Sequence, residues 1–70
     1  MPRLHSYRDV IRVLEKAGFR FQRQRGSHMK LTNPSGRVVI VIRRREIPEG
    51  TLKSILRQAG LSEDEFKALL

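Results

Sequence analysis

The fold is decided by residues 19–42, which read FRFQRQRGSHMKLTNPSGRVVIVI. Phe19 and Phe21 recur with a period of two, which predicts a first strand that turns its phenylalanines towards the core. After a glycine, Met29 and Leu31 alternate with polar residues, which predicts a second strand with one apolar and one polar face. We therefore expect two neighbouring strands that each bury one face.

A turn and an apolar run complete this stretch. Residues 33–36, NPSG, are a strong turn signal, because Pro fixes its own φ and Gly accepts a positive φ. Residues 37–42 are apolar and β-branched after the first arginine, so we expect a third strand that is largely covered. Residues 19–42 are therefore predicted to form a three-stranded antiparallel meander.

A helix is predicted on the N-terminal side of the meander. Ser6 and Asp9 have the spacing of a capping box, in which each side chain binds the backbone N–H of the other residue. Apolar residues then recur at helical spacing from Tyr7 to Ala17. Gly18 is expected to end the helix, because glycine adopts the left-handed conformation without strain.

Two helical segments are predicted on the C-terminal side. Residues 43–50 are expected to form a loop. Helical spacing resumes at Thr51 and ends at Gly60. We interpret Thr51 as the N-cap of this helix rather than as an RNA contact. Ser62 and Glu65 form a second capping box, which opens a short last helix. The predicted fold is α+β, in the order α-β-β-β-α with a short C-terminal helix. We expect the helices on one face of the sheet and the other face free for a partner.

Length and composition limit what the chain can be. Its 70 residues are enough for one domain, which we expect to span residues 1–70. There is no cysteine, which excludes disulfides, thiolate nucleophiles and Cys-ligated metals. No apolar run approaches the ~20 residues that cross a bilayer, and the first residues lack the apolar centre of a signal peptide. We therefore expect a soluble, cytoplasmic protein that makes no membrane contact.

The net charge of +8 is concentrated in the middle of the chain. Residues 19–45 contain eight basic residues and no acidic residue, whereas the flanks contain as many basic as acidic residues. Such a segment attracts polyanions, nucleic acid first, or an acidic protein. Solubility alone would not require every acid to be absent from one segment, so we expect a binding surface. Arg3, Arg8 and Arg12 belong to the charge-balanced flank, and we expect them to take no part in binding.

His28 is the candidate for chemistry, since it lies on the polar face of the second predicted strand, after Gly26 and among basic residues. The 2′-hydroxyl of RNA attacks the neighbouring phosphate when a base removes its proton, and cations stabilise the charge that develops. Imidazole suits this proton transfer at neutral pH, and a glycine lets the backbone approach a phosphate. On spacing alone, a half-exposed polar histidine without a catalytic role is the favoured interpretation, because a single histidine in a strand is usually of that kind.

Neither a metal nor a cofactor is expected. His5 and His28 are far apart in the sequence, and the basic segment contains no carboxylate that could join either of them as a ligand. No nucleophile-elbow motif surrounds a serine, so a Ser-His-Asp triad has no support.

Five short motifs resemble the HicA family of mRNA-cleaving toxins. They are LEKAGF at 14–19, RQRGSH at 23–28, NPSGR at 33–37, EIPEGTL at 46–52 and ILRQAGL at 55–61. The similarity extends from Tyr7 to Leu69 with the motifs in the order of the family, so several independent matches coincide at a common spacing.

The resemblance implies a double-stranded-RNA-binding-domain-like fold and the toxin of a type II toxin–antitoxin system, which cleaves mRNA without a metal. It also implies an acidic antitoxin of the HicB type that covers the active site. In the family the histidine of the Gly-Ser-His motif is catalytic, and that position is His28 here. The residues that we expect to contact RNA are Arg23, Arg25, Gly26, Ser27, Lys30, Arg43, Arg44 and Arg45.

The chain departs from the family where a second imidazole would lie. Family members often carry a second His directly after the first, or a Pro and a His at the end of the third strand. This chain has Met29 and Ile42-Arg-Arg-Arg45 at these places. The general acid therefore stays open: His28 moves the proton both ways, Lys30 or an arginine assists, or the chain cleaves poorly.

Two other functions fit the same charge pattern. A non-catalytic dsRNA-type binding module would use the basic residues to contact phosphates and would tolerate the loss of His28, whereas a nuclease would not. A small basic subunit of a ribonucleoprotein is the third possibility. The complete set of caps, turns and amphipathic elements predicts a chain that folds independently. This favours the toxin and the binding module over the ribonucleoprotein subunit.

Overall fold

The computed structural model of the protein describes residues 4–70. The elements in this part of the chain are α1 (Tyr7–Lys16), β1 (Arg20–Arg25), β2 (His28–Thr32), β3 (Val38–Ile42), α2 (Glu49–Ala59) and α3 (Glu63–Leu69). The strands form one antiparallel sheet in the order β1-β2-β3. The predicted meander and the α+β, double-stranded-RNA-binding-domain-like architecture are confirmed. None of the helices between residues 4 and 70 has the length and apolarity to cross a membrane.

The side chains of the sheet alternate between a covered face and an open face. Leu31, Val39 and Val41 are completely buried. They pack with the apolar side chains of the helices and connecting segments, namely Val10, Val13, Leu14, Phe19, Ile47, Ile55, Leu56, Ala59 and Phe66. On the opposite face Val38 and Ile40 are exposed. The expectation of a largely covered third strand is therefore wrong for Val38 and Ile40, because none of the elements between residues 4 and 70 lies over them.

The two phenylalanines of the first predicted strand have different environments. Phe19 is buried as predicted, but Phe21 is 48% exposed. Phe21 pairs with Leu31 and so lies on the covered side of the sheet. The helices pack mainly against β3, however, and β1 is the opposite edge of the sheet. The prediction that Phe21 joins the core is wrong for this reason.

The ends of α1 follow the local signals. The Ser6 hydroxyl accepts a hydrogen bond from the Asp9 N–H, and the Asp9 carboxylate accepts one from the Ser6 N–H, both at 3.3 Å. Gly18 is left-handed at φ +101°, and the Phe19 N–H then donates to the Leu14 carbonyl at 2.9 Å. This closure directs the chain from α1 into β1.

The ends of α2 and α3 agree with the prediction except at one point. The capping box of Ser62 and Glu65 is present, and Gly60 ends α2 in the left-handed conformation. The N-cap expected at Thr51 is wrong, because α2 begins at Glu49 and is preceded by Pro48. Thr51 therefore lies inside the first turn of α2.

Candidate nucleic-acid interface

A two-residue turn fixes the position of His28. Gly26 and Ser27 connect β1 to β2, and Arg25 pairs directly with His28. Gly26 has φ +60°, and no non-glycine residue between 4 and 70 has a positive φ. A turn with the left-handed conformation at its first central residue alone is the II′ type, whose twist matches that of a hairpin. His28 therefore begins β2 at the tip of a tight hairpin.

A β-bulge determines which way the arginines of β1 face. The register shifts between Phe21 and Arg23, so Gln22 has no partner in β2. Because side chains alternate along a strand, a regular strand would place Arg20 on the face opposite Arg23 and Arg25. The extra residue of the bulge reverses the alternation once, so Arg20 lies on the same face as Arg23 and Arg25. All three arginines therefore lie on the open face of the sheet.

The pairing arranges the open face in three rows across the strands. The rows are Arg25–His28–Ile42, Arg23–Lys30–Ile40 and Arg20–Thr32–Val38. Each row has an arginine from β1, a polar residue from β2 and an aliphatic residue from β3, and none of the nine is buried. The open face thus has a cationic side and an apolar side, and His28 lies in the middle strand between them.

The cations of this face have no acidic partners. Between residues 4 and 70, ion pairs are formed by Asp9 alone, with Arg12 at 2.8 Å and with His5 at 3.9 Å. His28 is exposed and has no carboxylate of the described residues within ion-pair distance. No group of His, Asp or Glu in the described part of the chain could hold a metal ion. The open face therefore offers unpaired positive charge to a polyanion.

The predicted RNA-binding residues fall into two groups. Arg23, Arg25 and Lys30 surround His28 on the open face, and Gly26 and Ser27 form the adjoining turn. The other group is the arginine cluster after β3. The Arg43 N–H donates to the Ser27 carbonyl at 2.7 Å, so these two residues extend the ladder one pair beyond His28 and Ile42.

The Arg43 side chain, in the arginine cluster, points away from the open face. Side chains alternate along β3, so the Arg43 side chain lies on the helix side, where its Nε donates to the Tyr7 hydroxyl at 3.3 Å. The Arg44 carbonyl accepts a hydrogen bond from the Tyr7 N–H at 3.0 Å, and the Arg44 and Arg45 side chains are exposed. The site predicted as one surface therefore continues around the rim of the sheet.

Sequence reasoning missed Tyr7 and Arg8. Arg8 Nε also donates to the Tyr7 hydroxyl, at 3.2 Å, and the guanidinium carbons of Arg8 and Arg43 lie 5.8 and 5.6 Å from the centre of the ring. The hydrogen bond from Arg8, then that from Arg43, lowers the pKa of Tyr7, because both stabilise the phenolate. The sequence offered one weak signal, a tyrosine with a polar tip at the start of an apolar helix face.

The charge-balanced flank is thus not uniform. Arg8 was expected to take no part in binding, but it lies beside Arg43 across the Tyr7 ring. Arg12 forms an ion pair with Asp9 at 2.8 Å, so its charge is balanced within the flank. Arg3 lies outside the described residues.

Fold and site together define a small basic α+β protein with a double-stranded-RNA-binding-domain-like fold and an exposed histidine at the tip of a cationic hairpin. Residues 7–61 match the family model described as HicA toxin of bacterial toxin-antitoxin. The match covers most of the chain, so the protein belongs to the HicA toxin family. It is a toxin of a toxin–antitoxin system, and an antitoxin is its partner. A comparison with curated proteins gives no match.

Proposed function

We propose that this toxin is a metal-independent endoribonuclease that cleaves mRNA, and that His28 is its catalytic base. The position of His28 carries the proposal. Its imidazole is exposed on the open face, paired across the strands with Arg25 and unpaired with any carboxylate of the described residues. An anionic RNA strand that neutralises the β1 arginines would lie directly over it. Residues 1–70 would act as a single domain.

The chemistry needs one base and several cations. The neutral His28 imidazole removes the proton of the 2′-hydroxyl, and the 2′-oxygen then forms a bond to phosphorus while the bond to the 5′-oxygen breaks. Arg23, Arg25 and Lys30 stabilise the negative charge on the phosphorane oxygens. The products are a 2′,3′-cyclic phosphate on one fragment and a 5′-hydroxyl on the other.

The departing 5′-oxygen needs a proton, and His28 is the residue that we propose to supply it. In its row, His28 lies between Arg25, a guanidinium that serves as a hydrogen-bond donor rather than an acid, and Ile42, which has no proton to give. The imidazolium formed in the attack step can return the same proton to the leaving oxygen. A second imidazole is then not required.

A cleavage assay in excess EDTA tests this proposal, with His5→Ala as the matched control. His5 is the other histidine of the chain, and it contacts Phe66 and Asp9 rather than the open face. His28→Ala should lower the cleavage rate roughly 10²–10⁴-fold, the usual contribution of a general base. His5→Ala should cleave, and a 2′-deoxy substitution at the cleaved nucleotide should block the wild type.

Three outcomes would contradict the mechanism. They are a near-normal rate in His28→Ala, inhibition by the chelator, and cleavage of the deoxy substrate. RNA binding without cleavage by the wild type would favour the non-catalytic binding module instead. Circular dichroism of each variant separates a lost base from a lost fold.

We also propose that an acidic antitoxin of the HicB type inhibits the toxin by covering the open face. The face combines the two features that a tight protein interface uses. The β1 arginines would attract carboxylates of the partner and speed encounter. The exposed aliphatic side chains of Val38 and Ile40 would form the dry centre of the interface, which controls dissociation.

Association and dissociation rates can test the two halves separately. Arg23→Glu combined with Arg25→Glu should slow association with the antitoxin and also weaken RNA binding, because one face serves both partners. Ile40→Ala should speed dissociation and leave the association rate nearly unchanged. Arg57→Glu, on the exposed side of α2, is the control for net charge. If the double reversal weakened RNA binding but left antitoxin association unaltered, the two partners would use different surfaces.

A further inference from the structure

A second cationic site lies around the rim of the sheet from His28. Ser6, Tyr7, Arg8, Arg43 and Arg45 line an open cavity of about 460 Å³. The Tyr7 hydroxyl accepts hydrogen bonds from both Arg8 Nε and Arg43 Nε. The Tyr7 phenol therefore binds two guanidinium groups, one from a residue before the three strands in the sequence and one from a residue after them.

The cations of the cavity have no acidic partner among residues 4–70, where the recorded ion pairs all involve Asp9. Asp9 itself binds Arg12 and the Ser6 N–H. Two like charges held by one neutral ring repel each other, and a cation–π contact at an exposed position is a weak interaction. An anion in the cavity would offset the repulsion between the two guanidinium groups.

The donors that remain are suited to a phosphate group. Each arginine carries five N–H groups, and Arg8 and Arg43 use only the Nε–H on Tyr7. Their terminal N–H groups are left for bidentate hydrogen bonds, which match phosphate geometry. The Tyr7 hydroxyl accepts from both arginines, so its own proton is available for a third bond to the anion.

The backbone of Arg43, whose side chain lines the cavity, lies one ladder position beyond the pair of His28 and Ile42. Ser27 and Arg43 pair next to His28 and Ile42, and successive residues of a strand are about 3.3 Å apart. Side chains alternate between faces, so His28 points to the open face and Arg43 to the helix side at the same end of the sheet. An RNA strand that passes over His28 can bend around this end and reach the cavity.

We propose that Tyr7, Arg8, Arg43 and Arg45 bind a backbone phosphate of the RNA that neighbours the phosphate cleaved at His28. This proposal rests on the proposed nuclease function. The rim site would hold the strand in register at the hairpin tip and would favour substrates longer than two nucleotides.

Substrate length tests the rim site. A dinucleotide has one phosphate and cannot fill both sites, whereas a hexanucleotide can. With the hexanucleotide, Arg8→Gln combined with Arg43→Gln should lower kcat/KM about tenfold or more, the usual effect of losing charge-assisted hydrogen bonds. With the dinucleotide, kcat/KM should be unchanged. Tyr7→Phe, which keeps the ring, should give a smaller loss in the same direction, and Arg57→Gln should give none.

A binding measurement makes the test independent of cleavage. The ligand is the hexanucleotide with a 2′-deoxy sugar at the cleaved position, titrated at several salt concentrations. Loss of one phosphate contact should reduce the slope of log K against log salt by about 0.7, the value for single strands. The double variant should show this reduction, and Arg57→Gln should not.

The outcomes separate the two proposals. An unchanged slope, or equal losses on both substrates, overturns the rim site. Normal RNA binding with slower antitoxin association in the double variant also overturns it, because the cluster would then contact the antitoxin. If the wild type cleaved no RNA but the double variant still showed the reduced salt slope, the rim site would be supported while the nuclease proposal failed.

Discussion

The two edge strands of the sheet differ in almost every respect. All six residues of β1 are exposed, and most are arginine or glutamine. In β3 the five residues are aliphatic, and every second one is buried against the helices. Nevertheless, each strand contributes three side chains to the same open face. The sheet is therefore divided across its width, with packed aliphatic side chains on the β3 side, exposed arginines on the β1 side, and His28 in the strand between.

The free backbone edges are also protected in different ways. The outward Ile40 N–H of β3 donates to the Gln58 side chain of α2 at 3.1 Å. The edge of β1 is covered by no helix side chain of this kind, but it carries a bulge at Gln22 and three arginines. Bulges and charges both hinder edge-to-edge pairing of sheets. The arginines that we propose to bind RNA thus also protect the free edge of β1.

Lys30 and Leu31 give the largest expected contrast, because they are neighbours in β2 that lie on opposite faces. Leu31 is completely buried, so Leu31→Ala should lower the free energy of unfolding by about 2–5 kcal/mol. Lys30→Ala should change it by less than about 0.5 kcal/mol. It should instead weaken RNA binding and reduce the salt slope by about 0.7. Urea unfolding and RNA titration measure the two effects, and similar losses of stability would refute the division between faces.

Replacing Gly26 or Gly50 by alanine should change the stability of the protein in opposite directions. An added Cβ meets no atom within 4 Å at either glycine, so conformation decides the effect rather than space. Gly26 is left-handed in the hairpin turn, so Gly26→Ala should destabilise the protein by about 1–2 kcal/mol. Gly50 lies in the first turn of α2, so Gly50→Ala should stabilise it by roughly 0.5 kcal/mol.

Thermal unfolding of both glycine variants is the measurement. Gly26→Ala should also reduce RNA cleavage, because the turn sets the register of Arg25 and His28, whereas Gly50→Ala should leave cleavage intact. A Gly26→Ala protein that is as stable and active as the wild type would show that the hairpin tolerates another turn.

Asp9 gives the smallest expected effect, and it depends on pH. The hydrogen bond from the Ser6 N–H, and then Arg12, lowers the pKa of Asp9 below its ordinary value of 3.8. Because the pKa of Asp9 is lower in the folded state than in the unfolded state, its ionised form stabilises the fold at pH values above the unfolded-state pKa. This contribution is lost as the pH falls through the folded-state pKa. Asp9→Asn should therefore cost about 0.5 kcal/mol at pH 7, typical of a helix-end charge with an i,i+3 partner. Urea unfolding well below pH 3.8 should show no difference, and a difference that persists there would refute the assignment.

Much of the fold could be predicted because its signals are local. The hydrogen bonds of the capping boxes at Ser6 and Ser62 and of the helix ends at Gly18 and Gly60 join residues three to five positions apart. The exposure of Phe21 could not be predicted, because it depends on where the helices lie over the finished sheet. The bulge at Gln22 could not be predicted either, since the spacing of the arginines gives no sign that a residue of β1 lacks a partner.

In the candidate site, too, residues that are adjacent in the sequence could be predicted and residues brought together by the fold could not. His28 and its neighbours could be found because the turn that positions them is adjacent in the sequence. Tyr7 and Arg8 could not, since Arg43 is 36 residues from Tyr7 and charge counting assigned Arg8 to the neutral flank. The start of α2 is a different kind of error. Pro48 is a recognised helix-start residue, and its signal was available in the sequence.

The two-residue turn has a consequence for how tightly the toxin would bind the RNA substrate that we propose. Arg25 and His28 close the hairpin directly, so their backbones are ordered as soon as the ladder forms. A longer, flexible loop would have to be ordered by the RNA itself, at an entropic cost of about 1–2 kcal/mol for each residue fixed. The hairpin is preorganised instead. The apparent affinity for RNA should therefore follow the fraction of molecules whose hairpin is closed, and a destabilised hairpin should weaken binding by that same fraction.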